Sequence, residues 1–245
     1  MNKKWIVIPD VHGRKFWRDV VKGNEDERII FLGDYLDPYS EEGITPEDAY
    51  NELLDIIAIK KDHPDNVTLL LGNHDLGYHA PGICTVRQDM QNLNRNSQLL
   101  HENLSMFDLV ADERFGYEKI LFSHAGLRMT WLKQNDWLFD LSTFQPTYIN
   151  DLFHDSLRRD ELYISLSDTS IYRGGFDESG SIVWADIEEF IYNNDELPGY
   201  IQIFGHTLHT GGAWVIDKHL WCLDCGKGFI VKPSRDRSNV EIKEL

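Results

Sequence analysis

The chain has 245 residues, 42% of them apolar, and sets 41 acidic against 24 basic side chains for a formal charge of −17. That length suits one α/β domain with an ample core, so a single domain over residues 1–245 is expected. So acidic a chain repels polyanions beyond the Debye length, which argues against nucleic-acid binding; phosphates on small molecules or proteins stay open as partners, because cations gathered at one place invert the local field.

The start, Met1-Asn2-Lys3-Lys4, is basic, but the apolar stretch behind it breaks at Pro9-Asp10. It is too short for a signal sequence or a membrane span, and a cytoplasmic protein without membrane attachment is expected. Cys84, Cys222 and Cys225 are an odd set of three, which is no disulfide framework, and the Cys222–Cys225 pair reads as buried small residues in a strand over 220–225.

In chain order, an apolar strand over 5–8 runs into Asp10-Val11-His12-Gly13, and a second over 29–32 runs into Gly33-Asp34-Tyr35-Leu36-Asp37. Thr45-Pro46-Glu47-Asp48 then supplies an N-cap, a first-turn proline and early acids. The helix behind it carries Tyr50, Leu53, Leu54 and Ile57 on one face and closes at Lys60 and Lys61 before Pro64. A strand over 67–71 leads to Gly72-Asn73-His74-Asp75, and a polar helix is expected over about 85–103. A strand over 120–122 leads to Ser123-His124-Ala125-Gly126, and one over 201–204 to Gly205-His206-Thr207.

Between those last two motifs lies an aromatic-rich insertion, about 128–181, expected to shape a substrate mouth, with a helix over 131–144 and with Trp131 and Trp137 near that mouth. Short apolar runs at 213–216, 220–225 and 229–231 then predict an antiparallel meander.

The five motifs share one position in the architecture, the end of a strand, where loops of α/β sheets carry chemistry. Carboxylate, amide and imidazole groups delivered from five strand ends can converge on a pair of metal ions, with one ligand shared between them. Asp10, His12 and Asp34 are assigned to the first ion; Asp34, as the bridge, joins Asn73, His124 and His206 around the second. The absence of thiolates from these motifs favours Mn²⁺, Fe or Zn²⁺ as the two divalent ions. His74 sits beside Asn73, and paired with Asp37 it is placed to act as general acid.

With these residues in this order, the chain resembles the calcineurin-like metallophosphoesterase superfamily, whose ordered set is D-x-H, G-D-x-x-D, G-N-H-[DE], a histidine in a small-residue turn, and G-H. Within it the phosphoprotein-phosphatase type, including bacterial Ser/Thr phosphatases and diadenosine tetraphosphatases, is the most similar, on Ser123-His124-Ala125-Gly126, Val183-Trp184-Ala185-Asp186 and Leu223-Asp224-Cys225-Gly226. The resemblance implies an α/β fold, a four-layer α/β/β/α sandwich of two mixed sheets flanked by helices. It also implies phosphate-ester hydrolysis by metal-bound hydroxide, with His74 as proton donor and Asp37 as its supporting acid.

One departure stands out: where the family places a phosphate-clamping arginine after the second aspartate of its second motif, this chain has Pro38. Arg173 is the first candidate to replace it, because a guanidinium matches phosphate bidentately, with Arg14 and Arg128 as competitors. His209 stands three residues after His206 rather than the family's two and is read as a neighbour, not a ligand.

His63, His79, His101, His154 and His219 are read as solvated or hydrogen-bonded, the acidic pairs Glu41-Glu42 and Glu188-Glu189 as solvated faces, and Trp5, Trp184 and Trp221 as core or loop braces. The expected activity is a phosphomonoesterase of protein-phosphatase type acting on a phosphoprotein or a small phosphate ester. The rival expectations are dinucleoside polyphosphate hydrolysis, a phosphodiesterase or nuclease, and a non-catalytic protein-binding scaffold on the same fold.

Overall fold

Short runs such as Trp-Ile-Val-Ile have no polar side to turn to water, so they are stable only as strands covered on both faces. In the computed structural model, which describes residues 4–80, 86–115, 118–234 and 240–245, this is what they form. Strand β1 (Trp5–Ile8) is followed by helix α1 (Phe16–Val21), β2 (Arg28–Phe31), α2 (Pro46–Asp62), β3 (Val67–Leu70), α3 (Asn73–His79) and α4 (Leu93–Glu102). Then come β4 (Phe107–Asp108), β5 (Val110–Phe115) and β6 (Glu118–Ser123). Helices α5 (Met129–Gln134), α6 (Tyr148–His154), α7 (Arg159–Leu166) and α8 (Ile187–Asn193) separate β6 from β7 (Tyr200–Phe204). The chain closes with β8 (Trp214–Asp217), β9 (Leu220–Cys222), β10 (Phe229–Pro233) and β11 (Val240–Glu244).

The strands make two mixed sheets, ordered β11-β10-β1-β2-β3-β4 and β5-β6-β7-β9-β8. In the first, β1 to β4 run parallel, with Ile6 beside Ile29 and Ile29 beside Val67. Alternation along each strand then sorts the side chains. Trp5, Val7, Ile30, Leu32 and Leu70 point at Ile120, Phe122, Ile201 and Ile203 of the second sheet. Their neighbours Ile6, Ile8, Ile29, Phe31 and Leu69 pack under a helix layer that includes Leu53, Ile56 and Ile57 of α2. On the far side of the second sheet, Phe204, Leu220 and Cys222 meet Ile187 and Phe190 of α8. The result is the expected sandwich of two mixed sheets between helices. The N-terminus of α2 is held by a capping box between Thr45 and Asp48.

Five local expectations need correction. β8 and β9 pair antiparallel, but β10 leaves for the first sheet and pairs with β1, because Phe229 and Val231 fill the space between the sheets beside Trp5. Consequently β9 stops at Cys222, and Cys225 is only half-buried. The polar helix starts at Leu93, residues 86–89 are not helical, and Cys84 and Thr85 lie outside the described residues. α5 ends at Gln134, where the Asn135 amide turns back to donate to the Trp131 carbonyl at 3.0 Å, the kind of local bond that competes with a helix. Trp131 itself is fully buried against Phe139 rather than at a mouth, whereas Trp137 is exposed.

Among the described residues no helix is long and apolar enough to cross a membrane.

Candidate metal centre and active site

All five motif loops emerge at one edge of the paired sheets and are tied to each other before any ligand is considered. Val11 and His12 donate their backbone N–H to the Asp34 carbonyl, and the Gly205 N–H donates to the His124 carbonyl. Both carboxylate oxygens of Asp10 accept the His206 N–H, at 3.0 and 3.2 Å. Five described non-glycine residues have positive φ, and four of them, His12, Asp34, Asp37 and His206, belong to these motifs. Left-handed backbone at such residues is a stored cost that surrounding structure must hold, and it concentrates at functional sites. Gly72 and Gly205 are needed for closeness: a Cβ on either would lie 2.1 Å from Asp34 Oδ1 or 2.2 Å from Asp10 Oδ1.

Two groups of ligand-type side chains result, His12 with Asp34 and His74, and Asp34 with His124 and His206, each with its donor atoms within 4.8 Å of one another. Asp34 belongs to both. Asn73 joins the second group, its Oδ1 standing 3.0 Å from His124 Nε2. Asp10 stands to the side, engaged with the His206 backbone.

Proton placement shows what such a cluster suits. A carbonyl oxygen can only accept, so the contacts of His12 Nδ1 with Leu36 O (2.8 Å) and of His124 Nδ1 with Leu32 O (2.9 Å) put the ring proton on Nδ1. The Nε2 atom of each ring is thereby turned to Asp34 Oδ2, at 3.4 and 3.6 Å. His206 turns Nδ1 to His124 Nε2 at 3.1 Å, and its Nε2 is buried without a hydrogen-bond partner. Lone pairs converging on a buried carboxylate repel one another until a cation lies among them, and the nitrogen and oxygen donors fit a hard or borderline divalent ion.

Electrostatics agree. Burial, reinforced by the charge of His74, holds His12 well below the usual imidazole range, and burial with Arg173 nearby does the same for His206, so both stay neutral and able to ligate. Burial pushes the Asp34 carboxyl well up, with Asp10 and Asp75 adding to the effect against the charge of His74. A bound cation inverts that logic and keeps the carboxylate ionised.

His74 differs from its neighbours. Burial works against its charged form, but the Asp34 charge and the 2.8 Å contact with Asp37 Oδ2 outweigh it, and the imidazole is held above its ordinary value. Asp37 in turn accepts from the Tyr78 hydroxyl and from the Asp89 N–H. These bonds hold Asp37 in place, and with it the orientation of the His74 ring.

The family model for calcineurin-like phosphoesterases matches residues 4–209. The chain belongs to the calcineurin-like phosphoesterase family. It is accordingly a metal-dependent phosphoesterase. Over its whole length it is similar in structure to the cold-active protein-tyrosine phosphatase of the psychrophile Shewanella sp., at a TM-score of 0.63 and 14% identity, covering 100% of this chain and 81% of that one. A protein serine/threonine phosphatase from Saccharomyces cerevisiae, described as similar to human phosphatase PP5, matches at a TM-score of 0.52 and 18% identity, covering 100% and 80%. These likenesses establish a shared fold. No curated protein matches the sequence significantly.

In this phosphoesterase the three arginine candidates separate. Arg128 is 2% exposed, paired through Nη1 with Glu189 and Ser179 and through Nη2 with Asp195 at 3.2 Å. A buried guanidinium must be neutralised where it lies, so Arg128 is a structural tie and not a phosphate ligand. Its partner Glu189 is likewise buried, which corrects the expectation of a solvated face; Glu188 is exposed as expected. Arg173 reaches the site, donating from Nη2 to Thr207 Oγ1 at 2.6 Å while Nε pairs with Asp186. Arg14 lies at the rim in a two-pronged pair with Glu42.

His209 donates from Nε2 to the Cys222 carbonyl, 3.2 Å away, and stands edge-on against Trp214, outside both donor groups. His79 is half-buried: its Nδ1 has no hydrogen-bond partner and its ring lies against those of His101, Phe153 and Tyr163.

Three residues with no assigned role matter. Asp75 is fully buried and accepts from the N–H groups of Gly72, Asp34 and Tyr35 at 2.8–3.0 Å, welding the second motif to the third. Burial raises its carboxyl to about 6, with those N–H groups pulling the other way. It was visible in the third motif, though its job was not. Tyr78 and Arg87 follow that motif at no spacing that marks them.

Proposed function

We propose that the chain is a dinuclear-metal phosphomonoesterase of protein-phosphatase type. The observation that carries this reading is the set of imidazole nitrogens and carboxylate oxygens turned on one another around Asp34, beside a His74–Asp37 pair. Asp34 would be shared by two ions, with His12 and Asp10 on one side and Asn73, His124 and His206 on the other. Mn²⁺ suits the all-nitrogen and oxygen donor set, and the Cys222 thiol is turned to the Gly205 carbonyl. When bound, the ions acidify water and neutralise phosphoryl oxygens.

The chain's own residues then do the rest. The interlocked loops hold the ligands in place before substrate arrives, so little reorganisation accompanies reaction. His74, whose charged form the Asp34 charge and Asp37 favour and whose ring Asp37 orients, protonates the departing oxygen. Arg173 and its hydrogen-bonded Thr207 line the edge where a phosphoryl group would lie. The likeness of the fold to two protein phosphatases supports a phosphorylated protein side chain as substrate.

The test is a comparison on Mn²⁺-reconstituted protein of phosphoserine, phosphothreonine and phosphotyrosine peptides, p-nitrophenyl phosphate, its bis ester and a dinucleoside tetraphosphate. The monoesters are expected to lead in kcat/KM. A preference for the dinucleotide or the diester replaces this reading with the corresponding rival. Tight binding of a partner protein without any hydrolysis points to a scaffold.

A further inference from the structure

The cations at the rim of this site are not equivalent. Arg14 is neutralised by Glu42 through two contacts of 2.6 and 2.8 Å, and Arg173 by Asp186 at 2.6 Å. Arg87 has no carboxylate partner among the described residues. Its Nη2 donates to the Asp37 carbonyl oxygen, and its guanidinium carbon lies 4.2 Å from the centroid of the Tyr39 ring. The Tyr39 ring in turn stands edge-on to His12 at 5.0 Å. Arg87 is therefore anchored on either side of Pro38, whose own ring offers no donor.

Its charge is felt inside the site, opposing protonation of both His12 and His74. One backbone carbonyl and one ring face occupy only part of a five-donor fork. A guanidinium held in place yet left without a counter-charge, in a chain of charge −17, is a ready partner for an anion with paired oxygens.

We propose that Arg87 grips the phosphoryl oxygens of the substrate, filling the role that Pro38 cannot. This rests on the phosphoesterase site described above. A purely structural role is the competing account, because the same segment braces the general acid: the Arg87 carbonyl lies 3.2 Å from His74 Nδ1, and the Asp89 N–H donates to Asp37. Those contacts come from the backbone and survive side-chain substitution.

Arg87→Met keeps an apolar stem on Tyr39 and removes the fork; Arg87→Lys keeps the charge alone. Binding of inorganic phosphate to the Mn²⁺-loaded proteins, measured by calorimetry, is expected to weaken about tenfold or more in Arg87→Met and less in Arg87→Lys. KM for p-nitrophenyl phosphate should rise in parallel, with metal content unchanged. Phosphate affinity within threefold of wild type in Arg87→Met overturns the proposal. So does a shifted pH profile with unchanged phosphate affinity, which assigns Arg87 to bracing His74. If the wild type hydrolyses no ester at all, the proposed function fails, but the calorimetric comparison still decides the role of Arg87.

Discussion

The loops after β1, β2, β3, β6 and β7 turn their polar side chains toward one another, whereas the helical tract between β6 and β7 mostly ties its polar groups up among themselves. In the loops, Asp34 sits between imidazole lone pairs and Asp10 and Asp75 hold backbone N–H groups, so charge is concentrated and its neutralisation left to something else. In the tract, Arg128 is closed off by Glu189, Asp195 and Ser179, and Gln134 and Asn135 share Asp168. The lesson is that burial alone does not mark a site. Uncompensated burial does, and Arg173, which bridges from the tract to Thr207, is where the two designs meet.

The sharpest way to break that comparison is to change the shared carboxylate. Asp34→Asn is expected to lose both metal ions and all activity, since both donor groups lose the carboxylate they share. His74→Asn should retain both ions and lower kcat by about 10²–10⁴, the usual worth of a general acid. Metal analysis beside steady-state kinetics separates them. Two ions retained by Asp34→Asn, or none by His74→Asn, would refute the division of roles.

Which side chains gather was legible in the sequence because the signal is redundant: five apolar runs each end in a short polar motif, and runs of that kind become adjacent buried strands. The layered fold followed from the same runs. What was hidden depended on partners far along the chain. Nothing near Arg128 announces that Glu189, 61 positions away, buries it, and nothing near Glu189 distinguishes it from the exposed Glu188. The departure of β10 to the first sheet was hidden because a hairpin and a crossover demand the same apolar residues, and only the room beside Trp5 decides between them. Arg87 follows a short helix in a polar stretch, where a guanidinium is ordinarily a solvated one.

A smaller effect tests whether the tract is as separable as its self-contained bonding suggests. Glu189→Gln leaves Arg128 with only Asp195 as counter-charge, and it should cost roughly 3 kcal/mol, the lower end for breaking a buried pair. Urea denaturation reads this as a lower midpoint with unchanged slope. At temperatures where the variant is folded, kcat on p-nitrophenyl phosphate is expected to stay within twofold of wild type. A fall comparable to that of His74→Asn would mean that the tract positions the catalytic groups directly.

The smallest effect lies at the seam between the two regions. His79 ends α3, which begins at the third motif, and its ring packs on Phe153 of α6 and Tyr163 of α7 at 6.4 and 5.7 Å. Burial, with the charges of Arg159 and His101 in support, lowers its pKa to about 4. Folding therefore excludes a proton that the unfolded chain binds below its ordinary value near 6.5, so stability is full above that pH and declines as pH falls toward 4. Because the ring is partly exposed, solvent screening holds the loss to the order of 1 kcal/mol. The drop in Tm between pH 7 and pH 4.5 should accordingly be smaller in His79→Gln than in wild type. An equal drop in the two proteins would place the acid sensitivity elsewhere and leave the seam indifferent to protonation.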